Sequence, residues 1–199
     1  GEHPYKAYDR WYFYVLAILI TSGISFSTRI VLNENIIKAY KIPTGSMMPT
    51  LLPGDYLLSN RSFYCANNVN RGDVIIFQSP EDERLEFIKR VVGLPGDTLE
   101  IKNYTTFING SELDENYLFQ DKIANQALEM KAPANFGPVY IPPEHYFVLG
   151  DNRENSRDSR KFGLIGRAGI KGKPSLIYIS WSGDFPFIRF SRIGKKINT

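Results

Sequence analysis

The sequence predicts a mainly β protein, with an antiparallel, barrel-like β-sheet domain carried on one N-terminal transmembrane helix. Three observations carry that expectation. Trp11 to Thr28 (WYFYVLAILITSGISFST) contains no charged residue. From Asn33 onward the apolar runs are short and divided by Pro and Gly. Aromatic residues make up 14% of the chain, with 13 Phe and 12 Tyr, and such residues favour strands.

The helix comes first. Eighteen helical residues rise about 27 Å, close to the roughly 30 Å hydrocarbon core of a bilayer. Ile30 to Leu32 prolong the run after Arg29, so the span is placed at residues 11–32, with 1–10 as its flank. Trp11, Tyr12 and Tyr14 sit at one end, as an interfacial belt does. Thr21, Ser22, Gly23, Ser25 and Ser27 leave a buried core helix as the alternative. A cleaved signal peptide is a third option, although its apolar core is normally shorter and ends in a small-residue cleavage site. Lys6 and Arg10 precede the run and Arg29, Lys38 and Lys41 follow it, so the positive-inside rule does not set the orientation. The chain opens on Gly1 rather than Met, which leaves room for residues before it.

The β domain is placed at residues 33–199. Tyr56–Ser59, Val74–Phe77, Leu85–Val92, Tyr146–Leu149 and Leu176–Trp181 read as strands. Asn109–Gly110, between Thr105–Ile108 and Ser111–Leu113, reads as a tight hairpin turn. The tetrapeptide LPGD occurs at Leu52–Asp55 and at Leu94–Asp97, where Pro followed by Gly suits a type II turn. Asp121–Lys131 reads as a short helix or a solvated excursion, inside a small insertion around 102–140. No long helix is expected after the N-terminal one.

The 199 residues suit one domain with an anchor to spare. Lys plus Arg is 24 against 21 Asp plus Glu, too small an excess to argue for nucleic-acid binding. Cys65 is the only cysteine, and His3 and His145 are the only histidines. An intrachain disulfide and a multi-cysteine zinc site are therefore excluded. No H-E-x-x-H, Walker or G-x-G-x-x-G motif occurs, and neither metal nor cofactor is expected. A Ser–His–Asp triad would have to use His145, which nothing places near Ser46.

Four segments carry candidate chemistry. In Ile42-Pro-Thr-Gly-Ser-Met-Met-Pro-Thr50, Ser46 sits on backbone that Pro43, Gly45 and Pro49 hold away from regular ladders. It is either a surface Ser on a Pro/Gly-rich loop or a hydroxyl presented to a ligand. In Arg84-Leu-Glu-Phe-Ile-Lys-Arg-Val-Val92, the strand period puts Leu85, Phe87, Lys89 and Val91 on one face. Lys89 is the only charge on that face. Such a Lys either snorkels to solvent or loses its proton on burial and becomes a base. Gly150-Asp-Asn-Arg-Glu-Asn-Ser-Arg-Asp-Ser-Arg160 is a solvated loop, or one folded on itself by Asp–Arg hydrogen bonds. Arg189-Phe-Ser-Arg-Ile-Gly194 reads as a last strand.

Together, in order, these segments resemble type I signal peptidase, the membrane-bound Ser–Lys protease that removes signal peptides from exported proteins. The likeness runs through I-P-T-G-S-M-M-P-T-L (42–51), R-G-D-V-I-I-F (71–77), F-I-K-R-V-V-G-L-P-G-D (87–97), G-D-N-R-E-N-S-R-D-S-R (150–160) and S-R-I-G (191–194). The resemblance implies that Ser46 is the nucleophile and Lys89 the general base. It implies that Ser156 hydrogen-bonds and orients the lysine, and that Asp158 and Arg160 form an ion pair supporting the loop. Thr44, where many bacterial members have Ser, would join the Ser46 N–H in the oxyanion hole. Ile42, Pro43, Met47, Ile76, Phe87 and Ile88 would wall the substrate pocket. Gly163-Leu-Ile-Gly166 departs from a Gly-x-x-Pro carried by many members, which bears on the local backbone and not on the catalytic residues.

The implied partners are preprotein signal peptides bound as an extended strand, and membrane lipid. The implied location is the bacterial cytoplasmic membrane, crossed once, with the catalytic domain of a monomer outside. Two other readings compete: a specialised processing peptidase of the same superfamily, and a catalytically inactive membrane-anchored binding module.

Overall fold

The computed structural model describes residues 11–31, 37–66, 68–118, 133–183 and 187–197. The flank 1–10 and the segment Asp121–Lys131 lie outside the described residues. The chain divides into two compact units, Gly1–Ile37 and Lys38–Thr199.

The first unit is a helix, α1 (Trp11–Val31). Its residues from Trp11 to Ser25 are exposed, among them Leu16, Ile18, Leu19 and Ile20. The polar Thr21 is accommodated by bonding its hydroxyl back to the carbonyl of Ala17 at 2.8 Å. Among the described residues no helix is long and apolar enough to cross a membrane.

The second unit is β-rich. Its strands are β1 (Ile37–Lys41), β2 (Asp55–Asn60), β3 (Val74–Gln78), β4 (Glu86–Gly93), β5 (Thr98–Lys102), β6 (Thr105–Ile108), β7 (Ser111–Glu112), β8 (Phe136–Tyr140), β9 (His145–Leu149), β10 (Ile165–Gly166) and β11 (Ile170–Ser180). A seven-stranded sheet runs β1-β2-β11-β3-β4-β9-β10, and a four-stranded sheet runs β7-β6-β5-β8. The pairings from β2 to β10 in the first sheet and throughout the second are antiparallel. Neither end strand of the large sheet pairs with the other, so the barrel-like expectation reduces to an open, curled antiparallel sheet. Within the insertion anticipated around 102–140, the described residues form β6, β7 and β8 of the small sheet, and 119–132 lie outside the described residues.

Two short helices, α2 (Phe63–Ala66) and α3 (Ser159–Phe162), are the α-helical elements described in this unit. The strand expected at 189–194 is instead a 3-10 turn, Phe190–Arg192, flanked by isolated bridges. β11 is longer than the run expected at Leu176–Trp181, because Pro174 does not end it. Pro174 sits beside a register irregularity with β2, where a missing N–H is tolerated.

Both LPGD turns take the expected form. Gly54 and Gly96 have φ of 87° and 89°, and the Asp N–H of each turn donates to the carbonyl of its Leu. Each Asp side chain then accepts from the N–H of that Leu, closing the turn a second time. At the hairpin between β6 and β7, Asn109 and Gly110 have φ of 51° and 82°, as a type I′ turn requires.

Three apolar clusters hold the unit together. Val74, Ile76 and Ile177 on the sheet pack with Leu57, Ile42, Met47 and Leu51. Ile75, Phe77, Val91 and Val148 form a second cluster on the other side of β3. Val92, Phe147 and Leu149 join the large sheet to Leu99, Ile101 and Ile108 of the small one. β3 is thus buried on both faces, and reads as a continuous apolar run for that reason.

Candidate active site

The turn bearing Ser46 is fixed by its neighbours rather than by regular structure. The Ile42 N–H donates to the Asp55 carbonyl and the Gly54 N–H to the Ile42 carbonyl, both at 2.8 Å. Met47 and Leu51, four residues apart, sink into the first cluster and pin the turn from below. The Asn152 N–H donates to the Ser46 carbonyl at 3.1 Å, and Asn152 Nδ2 donates to the Gly45 carbonyl at 3.1 Å. The loop after β9 thereby clamps the turn from the side.

Lys89 comes from β4, opposite Ile75 of β3. It is 5% exposed, and so does not snorkel to solvent. Its Nζ donates to Ser46 Oγ at 2.8 Å, bringing together two residues 43 apart in the chain. Burial pushes the ammonium down to about 8, against the opposing pull of the Asp158 and Asp151 carboxylates. A neutral amine in this contact can accept the hydroxyl proton. Among the described residues the Ser46 N–H donates to no acceptor, which leaves it available to a ligand. Thr44, on the same turn, is exposed.

The loop from Gly150 to Arg160 folds on itself. Asp158 is fully buried. It accepts from the Gly150 N–H at 3.1 Å and from Arg160 Nε and Nη2 at 2.8 Å each. It also caps α3. Arg160 Nη2 continues to the Arg153 carbonyl at 2.6 Å. Ser156 stands against Gly150, where an added Cβ would come within 2.2 Å of Ser156 Oγ and 2.5 Å of the Ser46 carbonyl. The expected hydrogen bond from Ser156 to Lys89 is not formed: Ser156 Oγ is buried and has no partner among the described residues.

The six expected pocket walls divide. Met47 and Ile76 are 2% and 0% exposed, and Ile42 is 6% exposed. These three are core residues beneath the turn, because the sheet covers them from the other side. Pro43 is exposed, and Phe87 and Ile88 are half-buried, so these three keep surface beside the dyad.

Several residues that hold the site escaped the sequence reading. Arg90, next to Lys89 but on the opposite face, meets Asp151 through Nε at 2.8 Å and Nη2 at 2.7 Å. Thr50 Oγ1 donates to the same carboxylate at 2.5 Å. Arg192 pairs with Asp55 at 2.6 Å and donates to the Thr50 carbonyl at 2.9 Å. Arg153 ties the loop to Glu115 and to Thr106 of the small sheet. A charge every few residues in 150–160 hinted at such pairing, but nothing local named the partners.

Asp151→Ala is expected to cost about 3–5 kcal/mol of stability, because it strands the buried Arg90 guanidinium without its carboxylate. Urea unfolding of the variant measures this. A loss under about 1 kcal/mol would show that the pair contributes no more than a surface one.

The family model described as "Signal peptidase, peptidase S26" matches residues 11–181. Signal peptidase I P of Bacillus subtilis subsp. natto is 36% identical over 166 residues, 83% of this chain and 87% of the relative. Signal peptidase IB of Staphylococcus aureus strain COL is 34% identical over 193 residues, 93% of this chain and 97% of the relative. A solved structure of a signal peptidase I from Enterococcus faecalis is 35% identical, covers 54% of this chain and 97% of its own, and has a TM-score of 0.46.

Proposed function

This chain belongs to the signal peptidase family, peptidase S26, and is a serine endopeptidase of it; from that premise we propose that it cleaves N-terminal signal peptides from exported preproteins with a Ser46–Lys89 dyad. The observation that carries this reading is the 2.8 Å contact between a buried lysine amine and the Ser46 hydroxyl. Lys89, neutral, takes the proton as Ser46 Oγ attacks the scissile carbonyl. The oxyanion that forms is held by the free Ser46 N–H and the Thr44 hydroxyl. Lys89 then returns the proton to the leaving amine, and water releases the acyl-enzyme by the reverse sequence. Ser156, Asp158 and Arg160 act as the supporting loop that positions the lysine.

The substrate binds as an extended strand, with small side chains at the first and third positions before the cut. Pro43, Phe87 and Ile88 supply the exposed walls, over a floor of Ile42, Met47 and Ile76. The buried contact of Ser46 with Lys89 argues against an inactive binding module, which has no use for a depressed amine. Cleavage of a model preprotein by wild type and not by Ser46→Ala, in uncharged detergent, is the test.

The same proposal makes α1 a single membrane anchor in a bacterial cytoplasmic membrane, with the β-rich unit of a monomer outside. Its support is the 21-residue length of α1, about 31 Å of rise, and the absence of charge from Trp11 to Thr28. Protease added to intact spheroplasts is expected to digest the β-rich unit. Protection there, with digestion only after lysis, would reverse the topology.

A further inference from the structure

Away from the dyad, the second unit carries a groove of about 480 Å³ that the mechanism above does not use. Its walls include Lys38–Lys41 of β1, Arg61 and Lys171, together with Glu83 and Glu86. β1 is an edge strand: among the described strands it pairs only with β2, so its outer backbone groups are open to a further strand. The groove is electrically lopsided. Lys38 is matched by Glu86 at 3.0 Å and Arg84 by Asp82 at 3.0 Å. Lys41, Arg61 and Lys171 have no carboxylate within ion-pair distance among the described residues. Lys41 lies instead over the Tyr56 ring at 5.8 Å.

Position in the chain says what this charge would meet. β1 runs directly into Ile42 and Pro43, and from there to Ser46. β4, which begins at Glu86 in the same groove, carries Lys89 three residues on. The groove therefore continues the two segments that bring the dyad together, on the side of the proposed walls for residues before the cut. At about 3.3 Å per residue, an extended peptide leaving Ser46 along β1 would lay its fourth to seventh residues before the cut beside Lys38–Lys41.

We propose that this groove is a subsite for an acidic side chain, Asp or Glu, four to seven residues before the scissile bond, and that Lys41, Arg61 and Lys171 select it. The inference rests on the peptidase reading and adds a substrate preference to it. A peptide is favoured over a membrane surface as the source of the anion because the groove is lined by β1 and the start of β4, the segments that lead to Ser46 and carry Lys89. Anionic lipid headgroups are the alternative that the test addresses.

The test uses the full chain in uncharged detergent and one preprotein-derived peptide series, with Glu, Gln or Lys placed in turn at the fourth to seventh positions before the cut. Wild type is expected to cleave the best Glu peptide about fivefold more efficiently, in kcat/KM, than its Lys counterpart, the size of effect a few rim charges give. The ratio should fall toward one at 1 M NaCl. In Arg61→Glu/Lys171→Glu the ratio should invert; both residues are partly exposed, and thermal unfolding checks the fold. Binding of the same peptides to Ser46→Ala, followed by fluorescence anisotropy, should show the same order without any turnover. Equal handling of Glu and Lys peptides by wild type in both assays overturns the subsite. So does an unchanged peptide ratio in the double variant accompanied by lost binding to phosphatidylglycerol vesicles, which would make the groove a lipid contact. Failure of wild type to cleave even the Gln peptide, while Ser46→Ala still binds Glu over Lys, would instead strike the peptidase reading and leave the groove standing.

Discussion

Ser46→Ala and Lys89→Met are each expected to lower cleavage of a model preprotein by about 10⁴-fold or more, the scale seen when a nucleophile or its base is removed from a serine protease. Neither change should unfold the chain. Among the described residues Ser46 Oγ makes one side-chain hydrogen bond, the one to Lys89, and its turn is held through Ile42, Met47, Leu51 and Asn152 instead. Met keeps most of the length of the lysine stem and drops the amine. Nucleophile and base act as one unit, so the double variant should be no worse than either single one. Single-turnover assays with excess enzyme would separate chemistry from product release. Substantial activity in Lys89→Met, measured near pH 8, would remove Lys89 from the role of base and leave Ser46 without an activator.

The two members of the proposed dyad stood out as candidates because each lies in a short contiguous pattern, and the family resemblance alone gave them their roles. Ser46 stands between turn-forming residues, and Lys89 is the lone charge on one face of its strand. The two LPGD turns and the Asn109–Gly110 hairpin were legible for a similar reason, since positive φ at Gly is a local demand. Strands β1 (IKAYK) and β5 (TLEIK) were missed. Charged residues interleave with apolar ones in both, and the apolar signal per strand is only two or three residues. β8 (FGPVY) was missed because Gly-Pro reads as a break.

The supporting framework was hidden for another reason: its partners are far apart in sequence. Arg90 and Asp151 are separated by 61 residues, Thr50 and Asp151 by 101, and Arg192 and Asp55 by 137. No periodicity links such positions; the sheet order that brings β4 beside β9 does. The pocket walls show the converse error. Ile42, Met47 and Ile76 are apolar and sit in the right segments, but an apolar residue near a site is as readily its floor as its wall, and only burial separates the two. Ser156, expected to hydrogen-bond the lysine, stands instead against Gly150. Its hydroxyl is buried without a partner among the described residues.

Cleavage is expected to rise with pH about tenfold per unit below pH 8 and to level off above it, because only the neutral form of Lys89 accepts the Ser46 proton and burial holds that amine near 8. The same depression has a signature in stability. The folded site releases its proton at about 8, whereas the unfolded lysine keeps it to about 10.5. Between those values the unfolded chain binds more protons, so the contribution of this site to stability rises with pH across that window. Below about 8 the folded state carries a buried ammonium, which costs on the order of 3 kcal/mol relative to the neutral form above 10.5. Tyrosines oppose this at high pH: burial holds the phenols of Tyr40, Tyr64 and Tyr117 above their ordinary range, so the unfolded chain loses those protons first. The lysine term is therefore read from a difference. Lys89→Met should be more stable than wild type by the largest margin below pH 8, with the margin shrinking steadily toward pH 10.5, while the tyrosine contribution cancels between the two proteins. Chemical denaturation of both at a series of pH values measures it. Parallel stability curves for wild type and Lys89→Met would mean that the lysine titrates alike in the folded and unfolded chains. The general base at Ser46 would then have no depressed amine behind it.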